Sequence, residues 1–95
     1  MNHSHHVIDF IAENKLTFRA VLQVFDYEPS QVTFFDRRYD YAENGQQIST
    51  YNVETMLEMS NGRLNLYGGV EDWQIGDEDV ALVKKWITQI MGRLA

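Results

Sequence analysis

The sequence predicts an α+β fold: two N-terminal helices, a three-stranded antiparallel β-meander, and one C-terminal helix packed on the sheet. Three observations carry that reading. Two Asn-Gly pairs, Asn44-Gly45 and Asn61-Gly62, divide strand-like runs between Gln31 and Val70. Both central residues of a type I′ turn need positive φ, which Asn tolerates and Gly adopts freely, so each pair reads as a hairpin turn. Before them, Phe18, Val21, Leu22 and Phe25 fall on one face of a 3.6-residue period. After them, Val80, Val83, Ile87, Ile90, Met91 and Leu94 keep the same period.

Taken in order, Ser4 is placed to cap a first helix from His5 to Asn14, with Val7, Ile8, Phe10 and Ile11 on its apolar side. Asn14 is its left-handed stop. Thr17 caps the second helix, and Leu16 and Val21 are spaced as a hydrophobic staple. Pro29 closes that helix, because Glu28 before it is pushed out of the α region. One bent helix from His5 to Tyr27 is the alternative.

Gln31 to Phe35 is the first strand run, leading through Asp36-Arg37-Arg38 to Tyr41, with a bend at the charges. Gln46 to Met59 reads as a long central strand, with Tyr51, Val53, Thr55, Leu57 and Met59 alternating onto one face. The rival reading makes Asn52 an N-cap and Val53 to Ser60 a short helix. Leu64 and Leu66 continue the apolar face, and Gly68-Gly69 releases the chain from the sheet. Asp77 is read as the cap of the last helix, with Glu78 and Asp79 at the positive end of its dipole and Arg93 at the other. Leu82 and Trp86 broaden its apolar stripe. The face of the sheet that the helices cover is not legible in the sequence.

The chain has 95 residues, read as one small domain with residues 1–5 frayed. A hydrophobic share of 44% is that of a folded chain. There is no cysteine, so no disulfide framework, thiolate zinc site or cysteine nucleophile, which fits a reducing cytoplasm. The apolar runs are too short to span a bilayer, and Met1 to His6 lacks the layout of a signal peptide. A net charge of −6 repels phosphate backbones and anionic lipid, which disfavours nucleic acid or membrane as a direct partner.

No catalytic constellation stands out. All three histidines, His3, His5 and His6, crowd the terminus, so a Ser-His-Asp triad would need that terminus to fold back over the sheet. As metal ligands they want a rigid scaffold, and incidental affinity of a loose end is the blander reading. The sequence has no phosphate loop, no nucleophile elbow and no EF-hand spacing. An enzyme is therefore not expected, and neither a cofactor nor a resident metal is.

The sharpest candidate is an acidic patch. Glu71, Asp72, Asp77, Glu78 and Asp79 place five carboxylates within nine residues, with Trp73 among them. Helix capping and a solvated loop explain most of that cluster without any function. As a recognition surface, it would dock a basic partner with Trp73 as an aromatic anchor. Tyr39 and Tyr41, with Tyr51 and Tyr67, either add a tyrosine-bearing recognition face or pair across strands. Arg37 and Arg38 beside Asp36 and Asp40 read as a local ion-pair cluster. Phe25-Asp26-Tyr27-Glu28-Pro29, followed by Phe34, resembles a short aromatic-Asp-aromatic-x-Pro stretch of the HopJ type III effector family, and the likeness implies no function here.

The expected function is a small acidic protein-binding module of the inhibitor, immunity or regulatory kind, with an unidentified basic protein as partner. The alternatives are a small-molecule or metal-binding domain, and a homodimer built through an exposed strand edge or the last helix.

Overall fold

Strand pairing, not helix, organises the first third of the chain. The computed structural model describes residues 2–38, 43–59, 64–66 and 74–94. Strands β1 (His3–Ile11), β2 (Thr17–Phe25), β3 (Glu28–Asp36) and β4 (Gln46–Asn52) form one antiparallel sheet in the order β1-β2-β3-β4. A short helix, α1 (Val53–Glu58), follows. A two-residue ladder of β5 (Leu64–Asn65) with β6 (Gln74–Ile75) leads into the long helix α2 (Asp77–Leu94). The predicted pair of N-terminal helices with a three-stranded meander is thus corrected to a four-stranded sheet with one short and one C-terminal helix.

The physical reason lies in the turns. The β1–β2 connection closes with the Ala12 N–H donating to Leu16 O and the Lys15 N–H donating to Ala12 O, both at 2.9 Å. Lys15 takes the left-handed conformation, φ 73°, that completes a turn of this kind. Between β2 and β3 only Asp26 and Tyr27 intervene, with φ of 49° and 68°. That is the backbone a two-residue primed turn demands, built without glycine. Asn2 steadies it: its N–H donates to Asp26 Oδ1 at 2.9 Å, its side-chain amide donates to the Tyr27 hydroxyl at 2.7 Å, and its carbonyl accepts from the Asp26 N–H at 2.7 Å. Pro29, read as a helix terminator, pairs with Val24 at a register shift, where the missing N–H is tolerated.

Within β2 the burial follows period 2. Phe18, Ala20, Leu22 and Val24 are buried on one face, with half-buried Arg19 and Gln23 on the other; Val21, buried on that second face, is the exception. The helical match of Phe18, Val21, Leu22 and Phe25 was coincidental, because Phe25 stands 41% exposed. Opposite Phe18 and Ala20 on β3 lie Asp36 and Phe34, and Val32 lies opposite Leu22. These residues, with Phe10 of β1, make the inner face. Val53 and Met56 of α1, Leu64, Leu66, Ile75, and Val80, Val83, Ile87 and Ile90 of α2 complete the core against it. Each fully buried aliphatic or aromatic side chain contributes about 1.5–3 kcal/mol.

The remainder of the sequence reading divides. β3 includes the predicted run Gln31 to Phe35, and β4 holds Gln47 to Tyr51. Asn44-Gly45 does precede β4, but only Gly45 takes positive φ, at 97°, and β3 ends at Asp36, so the pair is not the two-residue primed turn expected of it. Asn61-Gly62 lies outside the described residues. From Val53 the rival helical reading holds, since α1 buries Val53 and Met56 at i and i+3. Asn52 occupies the N-cap position in an extended conformation, without a side-chain capping bond. α2 spans the predicted helix, but Leu82 and Met91 of its expected stripe are exposed.

Two ion pairs lie at one end of the sheet. Asp9 and Arg19 stand directly opposite across β1 and β2 and form a bidentate pair, Nε to Oδ1 at 2.7 Å and Nη2 to Oδ2 at 3.0 Å. The Arg19 hydrogen bond, against a small desolvation cost, holds the Asp9 carboxyl below the usual carboxylate range. At the same end, where β3 finishes, fully buried Asp36 accepts from the Arg38 backbone N–H at 2.9 Å and from its guanidinium at 2.8 Å. Among the described residues no helix is long and apolar enough to cross a membrane.

Candidate functional site

The start of α2 is where sequence and structure meet most informatively. The Val80 N–H donates to Gly76 O at 3.0 Å, the first helical bond, so Gly76 and not Asp77 is the N-cap. That leaves Asp77, Glu78 and Asp79 as the first three helical residues. Their fates differ. Asp77 and Glu78 are exposed, with their charge at the positive end of the dipole.

Asp79 is buried. Its Oδ2 accepts from the Gly76 N–H at 3.0 Å, which is the return half of a capping box. The same oxygen accepts from the Glu13 N–H, also at 3.0 Å. One carboxylate therefore ties the β1–β2 turn to the start of α2 across 66 residues of sequence. The Asn14 side-chain amide reinforces the joint by donating to Gln74 O at 3.1 Å.

That docking brings in a residue the sequence did not single out. The Glu13 carboxylate lies against Gly76, in the space a side chain there would fill. Exposed Glu13 thus joins exposed Asp77 and Glu78 on one rim of the molecule. No local signal could have announced this, since Glu13 is brought there by a turn far away in sequence.

Of the predicted patch residues, the structure brings together Asp77, Glu78 and Asp79, and turns Asp79 inward. Glu71, Asp72, Trp73, Tyr39 and Tyr41 lie outside the described residues, as does Tyr67. Tyr51 is partly buried on the inner face, edge-on to Phe34 with ring centroids 6.1 Å apart. The histidines, expected in a frayed end, belong to β1. His3 stacks on Phe25 at 4.3 Å and lies 4.5 Å from the His5 ring, while His6 alternates to the opposite face. Among the described residues no group of three or more histidine, aspartate or glutamate side chains could hold a metal ion.

Asp79→Ala is expected to lower stability by about 2 kcal/mol, because two part-buried backbone N–H groups, of Glu13 and Gly76, lose their acceptor. Asp79→Asn keeps one acceptor oxygen and should recover a good part of that loss. Urea unfolding of both variants checks the ordering, and equal losses would contradict the capping role. Comparisons with protein-family models, with curated proteins and with solved structures find no match to this chain.

Proposed function

We propose that the chain is a small acidic protein-binding module of the inhibitor, immunity or regulatory kind, which docks the basic surface of a partner protein in the cytoplasm. The observation that supports this most is the convergence of Glu13 with Asp77 and Glu78 on one rim. Three exposed acidic residues are held on two elements that Asp79 locks together. The net charge of −6 extends the same sign over the molecule. Charge of this kind acts first on encounter: it raises the association rate with a basic surface and makes that rate fall with salt. Glu71, Asp72 and Trp73, adjacent in sequence, enter the proposal as further contacts.

The test reverses the rim. Glu13→Lys, Asp77→Lys and Glu78→Lys together should slow association with the partner by about tenfold or more and flatten its salt dependence. Thermal unfolding of the triple variant controls for the few tenths of a kcal/mol that cations at a helix N-terminus cost. Unchanged association at low salt would sink the proposal.

A further inference from the structure

We infer that the free edge of β1 pairs with the β1 edge of a second copy of this chain, antiparallel about a two-fold axis at Val7. Among the described residues β1 ends the sheet, so one side of it carries a row of backbone N–H and C=O groups that β2 does not use. Its nine residues pair with β2 without a register shift, whereas the β2–β3 and β3–β4 ladders are both interrupted. The row is therefore uninterrupted.

Among the described residues, none of the usual devices that blunt an edge is present on it. β1 contains no proline, no lysine and no bulge. Its one carboxylate, Asp9, is already paired with Arg19. Two apolar side chains stand out on the face the helices leave uncovered, Val7 at 50% and Ile11 at 71% exposure. The other edge, β4, is shorter, and its ladder is broken beside Phe34 and Phe35.

The second copy is chosen by register, because the residues of β1 on the uncovered face are spaced evenly about Val7. Side chains alternate between faces, so continuous faces require odd positions to meet odd positions. Centring the pair on Val7 engages all nine residues of both strands. On the uncovered face, Val7 meets Val7, His3 meets Ile11, and His5 meets Asp9 of the second copy, the last contact occurring twice by symmetry. Moving the centre by one residue leaves the ends of both strands unpaired. It also sets His5 against Val7, or Val7 against Asp9.

The absence of cysteine makes the register directly readable. Directly opposite residues in an antiparallel pair lie about 4.5–5.5 Å apart between Cα atoms, within the span of a disulfide. In this register two Ile11 residues are eight positions out of line, roughly 26 Å apart. The expected results are a dimer by light scattering of the unmodified protein, rapid disulfide cross-linking of the Val7→Cys variant, and none of Ile11→Cys. Val7→Lys sets two ammonium groups on the axis and should weaken the dimer by more than about tenfold. Val7 is half exposed, and a circular dichroism spectrum confirms that each variant is folded.

His5→Lys should preserve the dimer and His5→Asp should weaken it. Added salt screens the repulsion between two copies of charge −6, so the dimer should persist where a partner held by the acidic rim lets go. A monomer at millimolar concentration would overturn the inference, as would an edge occupied only by an extended segment of another protein. Equal cross-linking at positions 7 and 11 would overturn the register.

Discussion

Replacing Gly45 by alanine is expected to lower the unfolding free energy by about 3 kcal/mol, through strain and a collision acting together. At φ 97° any residue with a Cβ is strained. The added Cβ would also lie 2.4 Å from the carbonyl oxygen of Asp36. That oxygen cannot withdraw cheaply. Asp36 is paired with Phe18 on one side and Gln46 on the other, and its buried carboxylate holds Arg38. The loop before β4 is stitched as well, with the Arg37 guanidinium donating to Glu43 O at 2.9 Å and Arg19 donating to Asn44 Oδ1 at 3.0 Å. Urea denaturation measures the loss directly. A change below about 1 kcal/mol would mean that the β3–β4 connection relaxes in a way this geometry does not allow.

Phe18→Ala is expected to cost about 3–5 kcal/mol, a large part of the stability of a domain this size. Phe18 is fully buried, packs near Phe10 with ring centroids 6.0 Å apart, and sits on the inner face of a strand paired on both sides. Its companion Phe25→Ala should cost about 1 kcal/mol or less, since that ring is half exposed and rests only against His3 among the described aromatic residues. The contrast is diagnostic. Were Thr17 to Phe25 an amphipathic helix, the two phenylalanines would share its buried face and both would be costly. Comparable losses from the two variants would therefore argue against β2.

The elements that the sequence disclosed share a property: their signals are local and long. α2 repeats its apolar period through Val80, Val83, Ile87 and Ile90, and those residues are the buried ones. Gly45, though not Asn44, takes the positive φ for which the pair was read, just before β4. β1 and β2 stayed hidden because their turns use Lys15, Asp26 and Tyr27 where glycine or asparagine would have marked positive φ. Without those marks, a nine-residue run such as Thr17 to Phe25 satisfies both the helical and the strand period. Pairing decides between them, since an isolated helix of that length is marginal in water. α1 was ambiguous for a related reason, because six residues are too few for periodicity to arbitrate.

The candidate rim was half legible. Three adjacent acids at a helix start are plain in any sequence, yet nothing there says that Asp79 turns inward while Asp77 and Glu78 stay out. That division follows from the capping geometry, which needs an acceptor at the third helical position to reach the Gly76 N–H. Glu13 is beyond local reading altogether, because only the docked β1–β2 turn carries it to Gly76.

The most direct measurement is capture of partners from a lysate of the source organism at low and high salt, with the intact protein and the triple charge-reversed variant side by side, read by mass spectrometry. The expected result is a stoichiometric basic protein bound to the intact chain at low salt, released at high salt, and missing from the variant. A protein that binds both forms equally, or holds through high salt, would contradict recognition by the acidic rim.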